Sequence, residues 1–121
     1  MTDRELLAET IEREAGNQPF IGKVAVGMVI LERVKDRRWP DTIRGVILQP
    51  MQFSCWNFHD PDREPVSMSQ DSWAAVDLCL SGLVAPTGYN HYWNPKLCNP
   101  SWAASLKERI AVGDHVFGKM V

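Results

Sequence analysis

The sequence has little of what defines several common classes of protein. Its three cysteines, Cys55, Cys79 and Cys98, are an odd number without C-x-x-C spacing, which argues against a disulfide framework or a cysteine-rich zinc site. A single Cys55–Cys98 bridge stays open if the protein works outside a reducing compartment. No stretch approaches the ~20 consecutive apolar residues of a membrane-spanning helix, so we expect no stable membrane association.

Excess charge and a leader segment are also missing. The net charge is −2 and the sequence pI is about 5.9, which argues against a nucleic-acid-binding protein that relies on bulk positive charge. The N-terminal residues show no basic segment followed by an apolar one, so we expect synthesis in the cytoplasm without a secretory signal peptide.

What the chain does contain fits one folded domain. Its 121 residues are 45% hydrophobic, enough for a core without covalent cross-links, and we expect one domain over residues 1–121. Five tryptophans are many for this length. Tryptophan often lines grooves that bind sugars, although core packing is its more common use.

Local patterns predict mainly helices. Thr2-x-x-Glu5 is a capping box that begins a helix reaching about Ala15. Pro19 suits the first turn of a second helix over about 20–35, which is apolar nearly all round and therefore central and buried. A third helix is capped by Ser67 or Ser69 and ends at Gly82, and its inner face is predicted to carry Trp73, Val76 and Leu80.

Shorter elements follow from composition and turn residues. The segment "DTIRGVILQP" indicates a short helix or turn, and "QFSCWNF" has a strand-like, aromatic composition. Residues 59–66 are a polar loop with two prolines, and "PSWAASL" predicts another short helix. The end, "ERIAVGDHVFGK", is typical of a hairpin with Gly113-Asp114 as its two-residue turn.

Helical phase separates Glu14 from the other glutamates of the first helix. At about 100° per residue, Leu7, Ile11 and Glu14 share one stripe, whereas Glu9 and Glu12 fall on the opposite, solvated side. Burial at the end of an apolar stripe raises the pKa of a carboxyl group, because it disfavours the charged form. An acid that is still protonated near neutral pH can donate a proton in catalysis.

Each candidate carboxylate also has an ordinary structural interpretation. Glu14 either serves as such an acid, or it has a structural role in which its carboxylate reaches water or pairs with Arg13 or Arg33. Periodicity alone favours the structural role. Glu32, at the end of the buried helix, either supplies a second carboxylate ~5–10 Å from the first, as in glycosidases, or forms an ion pair with Arg33 or Arg37. The second interpretation is the more common one here too.

Metal and nucleophile chemistry have weaker support. A zinc site has the right residue types but no HxxxH or HxH pair; its candidate ligands are His59, His91, His115, Asp60 and Asp62. Ser54 lacks the G-x-S-x-G context of a hydrolase nucleophile. Cys55 with a distant histidine is a weak sign of a thiol enzyme.

Four motifs follow one another along the chain: "EAGNQPFIGKVAVGMVILERV", "WPDTIRGVILQPMQFSCW", "HYWNP" and "SWA…VGDHVF". Each motif is unspecific alone, but their order and spacing are specific. On these motifs the chain resembles the spore-cortex-lytic, SleB-like cell-wall hydrolases over about residues 8–118.

The resemblance implies an α+β fold that is mainly α, a compact lysozyme-like helical domain with a small β-hairpin component. Members cut peptidoglycan glycan strands between N-acetylmuramic acid and N-acetylglucosamine, and many are lytic transglycosylases. It implies that Glu14 is the catalytic acid/base and that no metal or cofactor is needed. Candidate substrate-binding residues, with Trp56 and Trp93 as sugar platforms or equally as core aromatics, are Gln52, Ser54, Trp56, His91, Tyr92, Trp93 and Asn94.

Two departures from the family pattern affect the expected outcome. "EAGNQP" stands where the family has Glu-Ala-Arg-Gly-Glu-Pro, and Glu32-Arg33-Val34 stands where it has Asn-Arg-Val. A single catalytic glutamate suits a transglycosylase. Glu32 within reach of Glu14 would instead favour a lysozyme-type muramidase, with both as catalytic residues.

Other functions stay open at this point. A metal- or thiol-dependent wall amidase or peptidase, and a non-catalytic wall-binding module, are the alternatives. We expect a monomer whose partner is the peptidoglycan glycan strand and not nucleic acid. The short chain resembles a phage endolysin, which would reach the wall through a holin-type membrane hole.

Overall fold

Helices come first along the chain and a small sheet follows. The computed structural model describes residues 1–50, 52–57 and 59–121, without the side chains of Ser54 and Asn57. In this part of the chain, the elements are four α-helices, two short 3-10 helices and three strands. They are α1 (Asp3–Ala15), α2 (Phe20–Val34), α3 (Ile43–Ile47), the 3-10 helix Ser54–Asn57, α4 (Gln70–Leu80), β1 (His91–Trp93), the 3-10 helix Ser101–Ser105, β2 (Lys107–Val112) and β3 (His115–Lys119).

The predicted capping box begins α1. The Glu5 N–H donates to Thr2 Oγ1 at 3.1 Å, and the Thr2 N–H donates to Glu5 Oε1 at 2.9 Å. A cap of this kind stabilises a helix by about 1 kcal/mol. Leu7 and Ile11 are fully buried on the inner face of α1, as helical phase predicts.

Helix α2 is the centre of the fold, as predicted. It packs against α1, α3, α4 and β1. Val26, Val29 and Ile30 are fully buried, each worth about 1.5–3 kcal/mol relative to exposure. A Cβ on Gly27 would lie 2.7 Å from Cys79 Sγ, so glycine permits the close approach of α2 and α4.

The sheet confirms the predicted hairpin and adds a strand to it. Its order is β1-β3-β2 and both pairings are antiparallel. Gly113 has the positive φ, 59°, that the tight turn requires. Gln18 tethers this turn to the end of α1, because its Nε2 donates to Asp114 Oδ2 at 3.0 Å and its Oε1 accepts the Asp114 N–H at 2.9 Å. The expected class, mainly α with a small β component, is confirmed.

Two predictions about local structure are wrong. Residues Ser54–Asn57 form a 3-10 helix and not a strand, because Trp56 turns inward and its Nε1 donates to Thr10 Oγ1 on α1 at 2.9 Å. Leu80 is 43% exposed, whereas Ala75 and Cys79 are buried with Val76. The close contact with Gly27 selects small residues for the inner face of α4.

Glu9 is not solvated, contrary to the prediction from phase. Its side chain is fully buried because the loop over residues 60–66 folds across the outer side of α1. Arg63 donates to both carboxylate oxygens, Arg13 Nε donates at 3.0 Å, and the Val66 N–H donates at 3.2 Å. Burial alone would raise the pKa of Glu9, but the hydrogen bonds from Arg63, Arg13 and Val66 outweigh it and lower that pKa.

Glu9→Gln should therefore destabilise the fold. We expect the free energy of unfolding at pH 7 to fall by about 2–3 kcal/mol, since the charge-assisted hydrogen bonds are weakened and Arg63 loses its counterion. The stability from the lowered pKa is fully present above the pKa of the unfolded chain, ~4.3, and disappears as pH falls through the folded-state pKa. Urea unfolding at several pH values measures both effects.

Glu64→Gln is the matched control, because Glu64 is exposed on the same loop and the charge change is identical. We expect it to change stability by less than ~0.5 kcal/mol. Equal stability of the parent and the Glu9→Gln variant at pH 7, or a gap that does not narrow below pH ~4, would contradict the role given to Glu9.

Candidate active site

An open cleft of about 640 Å³ lies where the ends of α1 and α2 meet the sheet. The C-terminal turns of the two helices form one side, and β1, the segment after it and the start of β3 form the other. Both polar and aromatic groups line it. The lining residues are Arg13, Glu14, Arg33, Gln52, Phe53, His91, Tyr92, Trp93, Asn94, Leu97, Cys98, Pro100, Trp102 and His115.

Glu14 enters this cleft from the last turn of α1. Its Oε1 accepts a hydrogen bond from the Tyr92 hydroxyl at 2.7 Å, and no lysine, arginine or histidine among the described residues lies within salt-bridge distance of it. Burial raises the pKa of the Glu14 carboxyl, and the hydrogen bond from Tyr92 opposes this only in part. The structural alternative, an ion pair with Arg13 or Arg33, does not form.

Two cations near the end of α1 lie beside other carboxylates. Arg13 donates to Glu9, as described above. Lys23 Nζ lies 3.6 Å from Glu12 Oε2. Glu12 was predicted to be solvated but is half-buried, because it accepts hydrogen bonds from the Ser69 N–H at 2.8 Å and from Ser72 Oγ at 2.9 Å at the start of α4.

Tyr92 is held in place by the sheet. It pairs with Phe117 across β1 and β3, and its ring centroid lies 5.6 Å from that of Phe117 and 5.1 Å from that of His115. Burial, together with the nearby Glu14 carboxylate, raises the pKa of Tyr92 well above its usual range. The phenol therefore stays neutral and keeps the proton that it donates to Glu14.

Aromatic rings form the wall that faces the helices. Trp102 makes edge contacts with Trp93 at 5.8 Å and with His91 at 5.0 Å between ring centroids. Burial lowers the pKa of His91 to about 4, helped by the positive charges of Arg33 and Arg38. His91 is therefore a neutral, flat surface near pH 7.

The structure brings together most of the predicted site residues. Glu14, Gln52, His91, Tyr92, Trp93 and Asn94 all line the cleft. Glu32 does not, and instead lines a separate cavity with Met28, Leu31 and Val84. Trp56 packs against the core. The side chain of Ser54 lies outside the part of the chain that the structure describes.

Sequence reasoning gave no substrate-binding or catalytic role to several residues that line the cleft, among them Trp102, His115 and Arg33. Trp102 lies in the quoted motif "SWA", which supported the resemblance but received no role. His115 was considered only as a candidate zinc ligand. Arg33 was considered only as the counterion of a glutamate. The position of these residues in the cleft depends on how the sheet packs against the helix ends. The periodicity of the sequence does not predict that packing.

The described ranges 1–50, 52–57 and 59–121 contain no arranged metal site and no reactive thiol site. No group of three or more His, Cys, Asp or Glu side chains there is arranged to hold a metal ion. The three cysteines are free, and burial raises the pKa of the Cys55 thiol to about 11, with a further contribution from Glu14. Cys55 therefore carries no thiolate near pH 7.

None of the helices in the described residues combines the length and the apolar character of a membrane span.

The chain is similar to known proteins over nearly its whole length. The family profile described as Cell Wall Hydrolase matches residues 17–118, beginning just after Glu14. The spore cortex-lytic enzymes of Halalkalibacterium halodurans and Bacillus cereus are 32% and 30% identical over 95% and 97% of this chain. The chain spans only 34% and 44% of the length of these two relatives.

Solved structures share the fold. The catalytic domain of the germination-specific lytic transglycosylase SleB from Bacillus anthracis matches with a TM-score of 0.83 and 28% identity, covering 97% of this chain and 93% of that one. The catalytic domain of the Bacillus cereus SleB protein matches with the same TM-score and 30% identity, covering 97% and 89%. On the profile match and these similarities, the chain belongs to the Cell Wall Hydrolase family.

Proposed function

We propose that this chain cleaves the glycan strands of bacterial peptidoglycan between N-acetylmuramic acid and N-acetylglucosamine, as a lytic transglycosylase with Glu14 as its acid/base. One observation carries the proposal. Glu14 is a partly buried carboxyl group with a raised pKa and no cationic partner in the described residues, and it faces an aromatic-lined cleft. A group with these properties is suited to protonate a leaving-group oxygen near neutral pH.

In the first step, the protonated Glu14 gives its proton to the glycosidic oxygen. The bond between C1 of the muramic acid residue and that oxygen breaks, and positive charge develops at C1 and the ring oxygen. Glu14 is left as a carboxylate. The Tyr92 hydroxyl, 2.7 Å away, stabilises this new negative charge by a hydrogen bond that is stronger to the ionised form.

In the second step, the Glu14 carboxylate takes the proton of the 6-hydroxyl of the same sugar. The hydroxyl oxygen then forms a bond to C1, which closes a 1,6-anhydro ring and returns Glu14 to its protonated form. No water is consumed. One carboxyl group therefore serves both steps, as general acid and then as general base.

The number of carboxyl groups favours this outcome over hydrolysis. Glu14 is the one acidic side chain among the described residues that line the cleft, whereas glycoside hydrolysis ordinarily uses two carboxylates across the scissile bond. Glu32 lines a different cavity, so we propose no catalytic role for it. The similarity to the Bacillus anthracis enzyme, a germination-specific lytic transglycosylase, supports this choice.

The aromatic wall is suited to bind the flat faces of sugar rings. We propose that His91, Trp93 and Trp102 form this platform and that Gln52 and Asn94 supply hydrogen bonds. Action as a monomer stays a prediction. Release to the wall through a holin-type hole stays a prediction.

Replacing Glu14 by glutamine should abolish the activity without loss of fold. We expect the release of soluble fragments from purified sacculi to fall by a factor of about 10²–10⁴, since the proton donor is lost. The parent should release fragments with anhydro ends, which mass spectrometry separates from reducing ends by the mass of one water, about 18 Da.

Glu32→Gln is the matched control, the same change on the neighbouring helix. We expect near-parental rates from it, and a loss equal to that of Glu14→Gln would make Glu32 a catalytic partner.

Because burial raises the pKa of Glu14, its ionisation above the unfolded-state pKa, ~4.3, destabilises the folded protein. Glu14→Gln should thus be at least as stable as the parent at pH 7, and parental lysis by this folded variant would refute the assignment.

Tyr92→Phe should shift the pH dependence of the reaction. The Tyr92 hydroxyl lowers the pKa of Glu14, so its removal should raise that pKa further. Activity requires protonated Glu14 and falls as pH rises through its pKa, so the alkaline limb of the kcat/KM profile should move to higher pH. Phenylalanine keeps the ring contacts with Phe117 and His115. An unmoved alkaline limb, or one shifted to lower pH, would contradict the coupling.

A further inference from the structure

Arg33 is a buried cation in the cleft without an anionic partner among the described residues. Only 6% of the residue is exposed, yet no aspartate or glutamate lies within salt-bridge distance of it. Its Nε donates to the Asn90 carbonyl at 2.8 Å and its Nη1 donates to Gln52 Oε1 at 3.1 Å. Arginine is rarely buried this deeply unless it is paired.

Arg38, close by, shows the ordinary arrangement. Both guanidinium groups lie over the Trp39 ring, at 5.1 Å for Arg33 and 4.9 Å for Arg38. Arg38 forms a salt bridge with Asp36 at 2.8 Å. Arg33 has only neutral acceptors, so its charge is not compensated, and burial of a charge in this way costs free energy.

The third nitrogen of Arg33, Nη2, donates no hydrogen bond to the described residues, and it is not one of their buried polar atoms without a partner. Because Arg33 lines the cleft, this nitrogen is the one available to a ligand bound there. A guanidinium nitrogen of this kind binds carboxylates with charge-assisted hydrogen bonds.

Arg33 and Glu14 line the same cleft but form no salt bridge with each other. The positive charge of Arg33 contributes to the lowered pKa of His91 and opposes the rise in the pKa of Tyr92.

We propose that Arg33 forms a subsite for a carboxylate group of the substrate strand. The inference rests on the proposed function, which makes a peptidoglycan strand the substrate. Two groups of that strand offer the chemistry: the lactyl carboxylate of muramic acid where no peptide is attached, and the carboxylates of the stem peptide where one is. The carboxylate replaces water at Nη2 and supplies the missing counterion.

The test converts the carboxylates of the substrate to neutral amides. Soluble glycan strands are prepared with their stem peptides and without them, and half of each preparation is amidated with carbodiimide and ammonia. For the parent protein we expect amidation to raise KM by about tenfold or more, with a smaller change in kcat, since a charge-assisted hydrogen bond is lost on binding. An effect in peptide-free strands identifies the lactyl carboxylate, and an effect confined to peptide-bearing strands identifies the stem peptide.

Variants provide the second half of the test. Arg33→Gln should have a raised KM on unmodified strands and should no longer distinguish amidated from unmodified strands. Arg33→Lys keeps the charge and should retain part of the preference. Arg37→Gln, which removes an exposed charge outside the lining of the cleft, should behave as the parent does. If Arg33→Gln does not fold, the comparison of substrates with the parent protein decides alone.

The two levels of the proposal fail in different ways. If the parent releases no anhydro fragments from unmodified sacculi, the proposed function is wrong. If it releases them but its KM is the same for amidated and unmodified strands of both kinds, the function stands and the carboxylate subsite is refuted.

Discussion

The proposed site depends on one constraint: the Glu14 carboxyl group is partly buried and has no cationic partner among the described residues. A glutamate near an arginine or lysine is held ionised and cannot act as an acid near neutral pH. Two nearby cations have other carboxylates on α1 as partners: Glu9 binds Arg13, and Glu12 approaches Lys23. Arg33 donates instead to neutral acceptors. These three glutamates of α1 thus differ: Glu9 and Glu12 hold the fold together, and Glu14 is the one proposed for chemistry.

The same contacts join the layers of the protein. Glu9 fixes the loop that covers the outer side of α1. Glu12 accepts hydrogen bonds from the Ser69 N–H and the Ser72 hydroxyl at the start of α4. On the other side, Gln18 holds the hairpin turn against the end of α1. Because the sheet is tethered there, Tyr92 on the neighbouring strand meets Glu14. The short connection between α1 and α2, which contains Gln18, therefore sets the positions of both Glu14 and Tyr92.

The sequence could predict what local physics determines. The capping box at Thr2, the hairpin turn at Gly113 and the apolar character of α2 all act over a few residues, and each prediction is confirmed. Phase could also separate Glu14 from its neighbours, although it could not say whether Glu14 pairs with an arginine. The family resemblance was needed for that interpretation.

The rest depends on contacts between distant segments. Phase placed Glu9 on the outer side of α1, but it could not show that a loop more than fifty residues away would cover that side. Trp56 is a residue type suited to bind sugar rings, yet its indole donates to Thr10 in the core. The sequence gives Arg33 the place of an ordinary helix-end cation. The tertiary structure shows that it is buried in the cleft, with no carboxylate of the described residues within salt-bridge distance.

The most direct test is a measurement of the Glu14 pKa in the folded protein. Carboxyl carbon chemical shifts of 13C-glutamate-labelled protein are followed by NMR against pH, and the Glu14→Gln variant assigns the resonance. We predict that Glu14 titrates above the usual value for a glutamate side chain, and that Glu9 titrates below it. Titration of Glu14 at or below the usual value would show a stabilised carboxylate, and would contradict its role as the acid.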